Sequence, residues 1–236
     1  MTIEDQDEFE REFWELIRGP AYEPAELDPA LAVFLGTDSS GPTLHHPCYC
    51  GPYKTSNNAH YNCHLESFKE KVSAAKGSRN WHDYLHAHEK CFWTAALNEI
   101  EALATPEEWA AAVREAWILS DEIWINDRDW RLILGRAQRV PSWMTQNEKD
   151  RLEVLPESFP VYRGCRADQA NGLSWSLESD AAAHFARKVK GHRGVVATGT
   201  ARKADVIALL HGDEDEVIVL PESVLMDDPK GFERPC

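Results

Sequence analysis

Over residues 3–18 the chain sets Phe9, Phe13, Trp14 and Ile17 at helical spacing with acidic residues between them, and Gly19-Pro20 stops the pattern. Residues 19–62 are rich in Pro, Gly, Ser and Asn and read as loop. A helix is expected over 64–76. A longer one is expected over 80–103, carrying Trp81, Tyr84, Leu85, Phe92, Trp93, Leu97 and Ile100. Thr105-Pro106-Glu107-Glu108 is a helix start with Thr at the cap, Pro at the first helical position and Glu three residues after the cap. That helix should run to about Ile123, and a shorter one is expected over 127–137.

After Pro141 the period changes from helical to alternating. "SFPVYRG" (158–164) and "GLSWSL" (172–177) read as strands, followed by a helix over 178–191 with Ser179 as cap and Gly191 as terminator. Three further strands are expected at 194–201, 205–210 and 216–221. The fold class is therefore α+β, with a helical N-terminal half followed by a compact strand-rich core. The expected division is a helical, loop-rich region over 1–104 and a core with its leading helices over 105–236.

Composition narrows the setting. With 236 residues, 43% of them hydrophobic, the chain can bury a sizeable core. Its formal charge of −15 argues against nucleic acid and anionic membranes as partners of the whole surface. Much of that charge sits in the first 28 residues, where ten acidic side chains face only Arg11 and Arg18. The start "MTIEDQDEFE" has neither a basic segment nor an apolar run, and no stretch is apolar enough to span a bilayer. A cytoplasmic protein is expected. Six cysteines are too few for a disulfide scaffold at this length.

Three polar features interrupt the strands: Arg163 in "VYRG", Ser174 and Ser176 flanking Trp175 in "LSWS", and the acidic run Asp213-Glu214-Asp215-Glu216 before "VIVLP". Singly, each suits an ordinary ion pair, a strand serine or a charged turn, and acids at a sheet edge also deter aggregation. In this order, over 158–222, they resemble the arginine–serine–glutamate signature of mono-ADP-ribosyltransferases. That is the class of cholera toxin, the clostridial binary toxins and the vertebrate arginine-specific ectoenzymes. Trp175 departs from the usual Thr of the serine triplet.

The resemblance implies a split β core and an enzyme that consumes NAD, releases nicotinamide and transfers ADP-ribose to a protein acceptor. It further implies that Arg163, Gly164, Ser174, Trp175, Ser176 and Glu216 bind NAD, with Arg163, Ser174, Glu214 and Glu216 carrying catalysis. Glu216 would accept from the nicotinamide-ribose 2′-hydroxyl, Ser174 would hold it, and Arg163 would meet the phosphate. Glu214 would face the acceptor and favours an arginine. Residues i and i+2 of an extended chain share a side, so both carboxylates can serve one cleft. The biological setting, whether toxin, phage effector or regulator, stays open. The alternatives are an NAD glycohydrolase, transfer to a nucleic-acid or small-molecule acceptor, and a catalytically inactive interaction module.

The front half gathers His45, His46, Cys48, Cys50, His60, Cys63 and His64, with Cys91 further on. Cys48, Cys50, Cys63 and Cys91 form a candidate zinc set. The spacings are C-x-C and C-H rather than paired C-x-x-C knuckles, so ordinary buried thiols are the competing reading.

Overall fold

The computed structural model describes residues 25–120, 123–189, 194–212 and 215–227. The chain divides into two compact units, Met1–Phe92 and Trp93–Cys236. The expected helix over 3–18 lies outside the described residues.

In the first unit a single turn, α1 (Pro29–Ala32), leads into an antiparallel meander of β1 (Leu35–Asp38), β2 (Gly41–His46) and β3 (Tyr49–Pro52). The sequence pattern reads this stretch as loop, because β1 is exposed along its whole length and shows no alternation. Asp38 closes the first turn by accepting from the Ser40 amide at 2.7 Å, and Gly41 follows with φ 126°. Helices α2 (Asn58–Ser78) and α3 (Trp81–Ala87) complete the unit around Leu31, Leu44, Cys48, Tyr61 and Leu65. The helix expected over 80–103 is interrupted. At His88 the backbone turns extended (φ −91°, ψ 145°) and Nδ1 engages the Tyr84 carbonyl at 2.7 Å.

The second unit opens with α4 (Trp93–Glu101), α5 (Pro106–Leu119), α6 (Asp127–Ala137) and α7 (Gln146–Val154). Thr105 and Glu108 form the expected reciprocal cap, at 3.2 and 2.8 Å. The Trp109 indole N–H donates to the Leu97 carbonyl at 2.9 Å and pins α5 to α4. Helix α4 belongs to this unit, and the chain divides at Phe92/Trp93. Helix α5 stops at Leu119, short of Ile123, because Ser120 turns extended. Helix α7 has no expectation from sequence. Its only buried residue is Glu148, so it presents no apolar stripe, although Thr145 and Glu148 cap it as Thr105 and Glu108 cap α5.

The rest is a six-stranded antiparallel sheet with α8 (Ser179–Lys188) on it: β4 (Ser158–Arg166), β5 (Ser174–Ser176), β6 (Gly194–Arg202), β7 (Val206–His211), β8 (Asp215–Val219) and β9 (Val224–Met226). The order is β7-β8-β5-β4-β6-β9. Strands β4 and β6 pair continuously from Ser158↔Arg202 to Arg166↔Gly194. Strands β4 and β5 meet only at Tyr162↔Ser176. The sheet is thus two three-stranded halves joined at one point, over a core that includes Phe159, Val161, Trp175, Ala197 and Val217. Gly164 lets α8 lie close: a Cβ there would stand 1.9 Å from the Ala182 carbonyl oxygen. The α8 cap is Glu178 rather than Ser179, and the Ser176 hydroxyl accepts from the Glu178 amide at 3.0 Å. Gly191 lies outside the described residues. The chain is α+β, and among the described residues no helix is long and apolar enough to cross a membrane.

Candidate active site

Where β4 and β5 diverge past Tyr162↔Ser176, the Ser174 carbonyl has no partner in β4. The Arg163 guanidinium fills that gap. Its Nη1 donates to the Ser174 carbonyl at 2.6 Å and its Nε to the Gln169 carbonyl at 3.1 Å. Gly172 makes the space, since a Cβ there would stand 2.3 Å from Cζ of Arg163. Five donors in a fixed fork leave N–H groups beyond these two bonds. Among the described residues no carboxylate forms an ion pair with Arg163. Burial pushes its guanidinium below its ordinary value.

Two strands away, Glu216 lies opposite Ser176 in the β5–β8 ladder. The Ser174 hydroxyl donates to Glu216 Oε1 at 2.5 Å. The Trp117 indole N–H, from α5, donates to the same oxygen at 3.1 Å. Burial pushes the Glu216 carboxyl above its ordinary 4.5, while the two donors and the Arg163 charge pull against it. Trp117 is a site residue that the strand signature alone does not reveal. Only a buried tryptophan in the last turn of α5 marks it, and nothing in the one-dimensional pattern ties it to position 216.

The acidic run divides by strand alternation. Asp215 is buried on the side opposite Glu216, where it pairs with Arg151 of α7 and with His211 Nδ1 at 2.8 Å. Behind it, Arg114 of α5 grips Glu148 of α7 through both Nη atoms, at 3.0 and 2.6 Å. Glu148 also accepts from the His211 amide at 2.9 Å. This network holds the β7–β8 hairpin from below. Asp213 and Glu214 lie outside the described residues.

Arg163, Gly164, Ser174, Trp175, Ser176 and Glu216 all border one cavity of about 860 Å³, with Trp117, Trp124, Tyr162 and Phe185 adding aromatic wall. That volume falls in the range of small-molecule sites, roughly 300–1,000 Å³. The Trp175 indole turns to the core and donates to the Gly172 carbonyl at 2.9 Å, so this residue supports the site from behind. An anchored carboxylate beside a cavity can stabilise developing positive charge and accept from a hydroxyl. A partly committed arginine fork can meet a phosphate.

The candidate zinc residues lie in the first unit. His46 Nδ1 is 2.9 Å from Cys48 Sγ, and His45 Nδ1 is 3.1 Å from Cys50 Sγ. Burial pushes the Cys48 thiol up to about 11, and burial with a hydrogen bond to Cys50 pushes Cys91 up to about 12. Cys63 is exposed on α2. Among the described residues of this unit, no three His, Cys, Asp or Glu ligand atoms lie within 4.8 Å of one another. The four cysteines are therefore not gathered at one point.

Comparison with protein-family models, with curated proteins and with solved structures finds no match to this chain.

Proposed function

We propose that the second unit is an NAD-dependent mono-ADP-ribosyltransferase. The observation that carries this reading is the convergence of Arg163, Ser174 and Glu216, from three strands, on one cavity, with Ser174 bonded to Glu216. These are the residues on which the sequence resemblance rests, and a merely decorative set of polar strand residues has no reason to share a cavity.

In the proposed reaction Arg163 holds the NAD phosphates, placing the nicotinamide ribose against Glu216. The bond between ribose C1′ and the nicotinamide nitrogen breaks, and its electron pair leaves with nicotinamide. The ribose passes through an oxocarbenium-like state, which a nearby carboxylate stabilises while accepting from the 2′-hydroxyl. A nucleophile then bonds to C1′ and gives up a proton. Glu214, two residues before Glu216, orients an arginine guanidinium for that step and takes the proton.

Glu214→Gln tests the acceptor. Removing a positioned general base costs roughly 10²–10⁴-fold in rate. Transfer to an arginine acceptor should fall by that order, while slow hydrolysis of NAD by water survives. Unchanged transfer to arginine would contradict the acceptor. Equal loss of both activities would contradict the separation of roles.

A further inference from the structure

We propose that Trp117 is a positioning residue for Glu216: with Ser174 it anchors one carboxylate oxygen, Oε1, so that the other, Oε2, is the oxygen presented to the ribose hydroxyl. The inference rests on the proposed ADP-ribosyl transfer and specifies how its central carboxylate is held.

Both donors meet at the same atom, the Ser174 hydroxyl at 2.5 Å and the Trp117 indole at 3.1 Å. Among the described residues Oε2 has no hydrogen-bond partner. A hydroxyl can rotate and can also accept, but an indole N–H only donates. Trp117 therefore fixes which oxygen is the acceptor, whichever way the Ser174 hydroxyl points. The lone pairs of Oε2 stay available beside the cavity.

The indole cannot drift. Trp117 is 2% exposed and meets Trp130 of α6 edge to face, with ring centroids 5.3 Å apart. One turn earlier on α5, Arg114 grips Glu148, which accepts from the amide of His211 at the end of β7. Strand β7 pairs with β8 through Leu210↔Glu216. Helix α5 is thus tied to the hairpin twice: once through its backbone, once at the carboxylate itself.

Burial and three groups set the protonation of Glu216. Burial among α5, β5 and β8 favours the neutral acid, whereas Ser174 of β5, Trp117 of α5 and the Arg163 charge of β4 favour the carboxylate. Asp127 of α6 also acts on Arg163. Losing the indole donor removes one of the three groups that keep Glu216 ionised, so its ionisation must move to higher pH.

The test pairs a spectroscopic and a kinetic readout. In protein carrying ¹⁵N-labelled tryptophan, the Trp117 indole N–H resonance should move as Glu216 titrates, and that movement should vanish in Glu216→Gln. In Trp117→Phe, which keeps an aromatic ring but no N–H, kcat for nicotinamide release should fall roughly 10- to 100-fold, the loss of one hydrogen bond to a charged group. The KM for NAD should stay within about twofold, because binding falls to other residues, and the acidic limb of the kcat profile should move to higher pH. An indole resonance indifferent to Glu216→Gln overturns the proposal even if Trp117→Phe does not fold. An unchanged kcat and acidic limb in folded Trp117→Phe overturns it too. A wild-type protein that releases no nicotinamide, while its indole titrates with Glu216, defeats the transferase reading and leaves the anchored oxygen established.

Discussion

Gly172 stands where the Arg163 guanidinium leaves no room for a side chain: a Cβ there would approach Cζ to 2.3 Å and Nη2 to 2.4 Å. In sequence Gly172 is only the first residue of the expected strand 172–177 and has no evident role. In the fold it is the floor on which the arginine lies. Arg163 is held by the carbonyls of Gln169 and Ser174, so it cannot swing away without losing both bonds. Gly172→Ala should therefore weaken NAD binding, by roughly 10-fold for one displaced charge-assisted contact. The melting temperature should fall as well, since a displaced guanidinium gives up its bonds to the Gln169 and Ser174 carbonyls. Calorimetric titration with NAD checks this. An unchanged affinity would mean that Arg163 does not touch the dinucleotide.

The ion pair beneath the hairpin is structural. Glu148 is almost fully buried, and burial pushes its carboxyl up. Arg114 and the amides of His211 and Thr145 outweigh that and hold it below its ordinary 4.5. Glu148→Gln leaves Arg114 without an anionic partner and should cost about 1–3 kcal/mol at neutral pH. A carboxyl with a lowered native value stabilises the fold above its unfolded value and loses that contribution as pH falls through the native one. The gap between wild type and variant should thus close in acid. Urea unfolding at a series of pH values measures it, and a gap independent of pH would contradict the assignment.

Glu216 carries the opposite sign. Its native carboxyl is raised above 4.5, mainly by burial. On acidification the folded protein takes up this proton before the unfolded chain does. The ionised group therefore opposes folding above the native value, and that penalty disappears as pH falls below 4.5. Glu216→Gln should melt higher than wild type at neutral pH and equally at pH 4 or below. Scanning calorimetry decides this. A variant less stable at neutral pH would show that the carboxylate contributes to the fold rather than costing it stability.

These contrasts show what could be read from the chain. The capped start of α5, the span of α6 and the strands carrying Arg163, Ser174 and Glu216 follow from local pattern, because capping and alternation are local. Helix α7 did not, since its buried face is Glu148 and its partner Arg114 lies 34 residues away. The meander at 35–52 did not, because β1 has no buried face to alternate with. Within the site, the strand residues were visible as a set. Gly172 and Trp117 were not: the role of Gly172 depends on how the loop folds back over the Arg163 guanidinium, and Trp117 meets Glu216 across 99 residues of chain. The crowded acids resolve in the same way: alternation sends Asp215 to Arg151 and His211 and turns Glu216 to the cavity.

The central claim is that Glu216, anchored by Ser174 and Trp117 beside this cavity, drives cleavage of nicotinamide from NAD. The direct measurement is nicotinamide released from NAD by purified wild-type protein and by Glu216→Gln, with and without an arginine acceptor, after calorimetry has shown that the variant is folded. The account predicts release by the wild type, faster with the acceptor present. It predicts a fall of roughly 10²–10³-fold in the variant, the loss expected for one well-placed electrostatic group. Release that persists at the wild-type rate in folded Glu216→Gln, or no release from the wild type under any of these conditions, would contradict it.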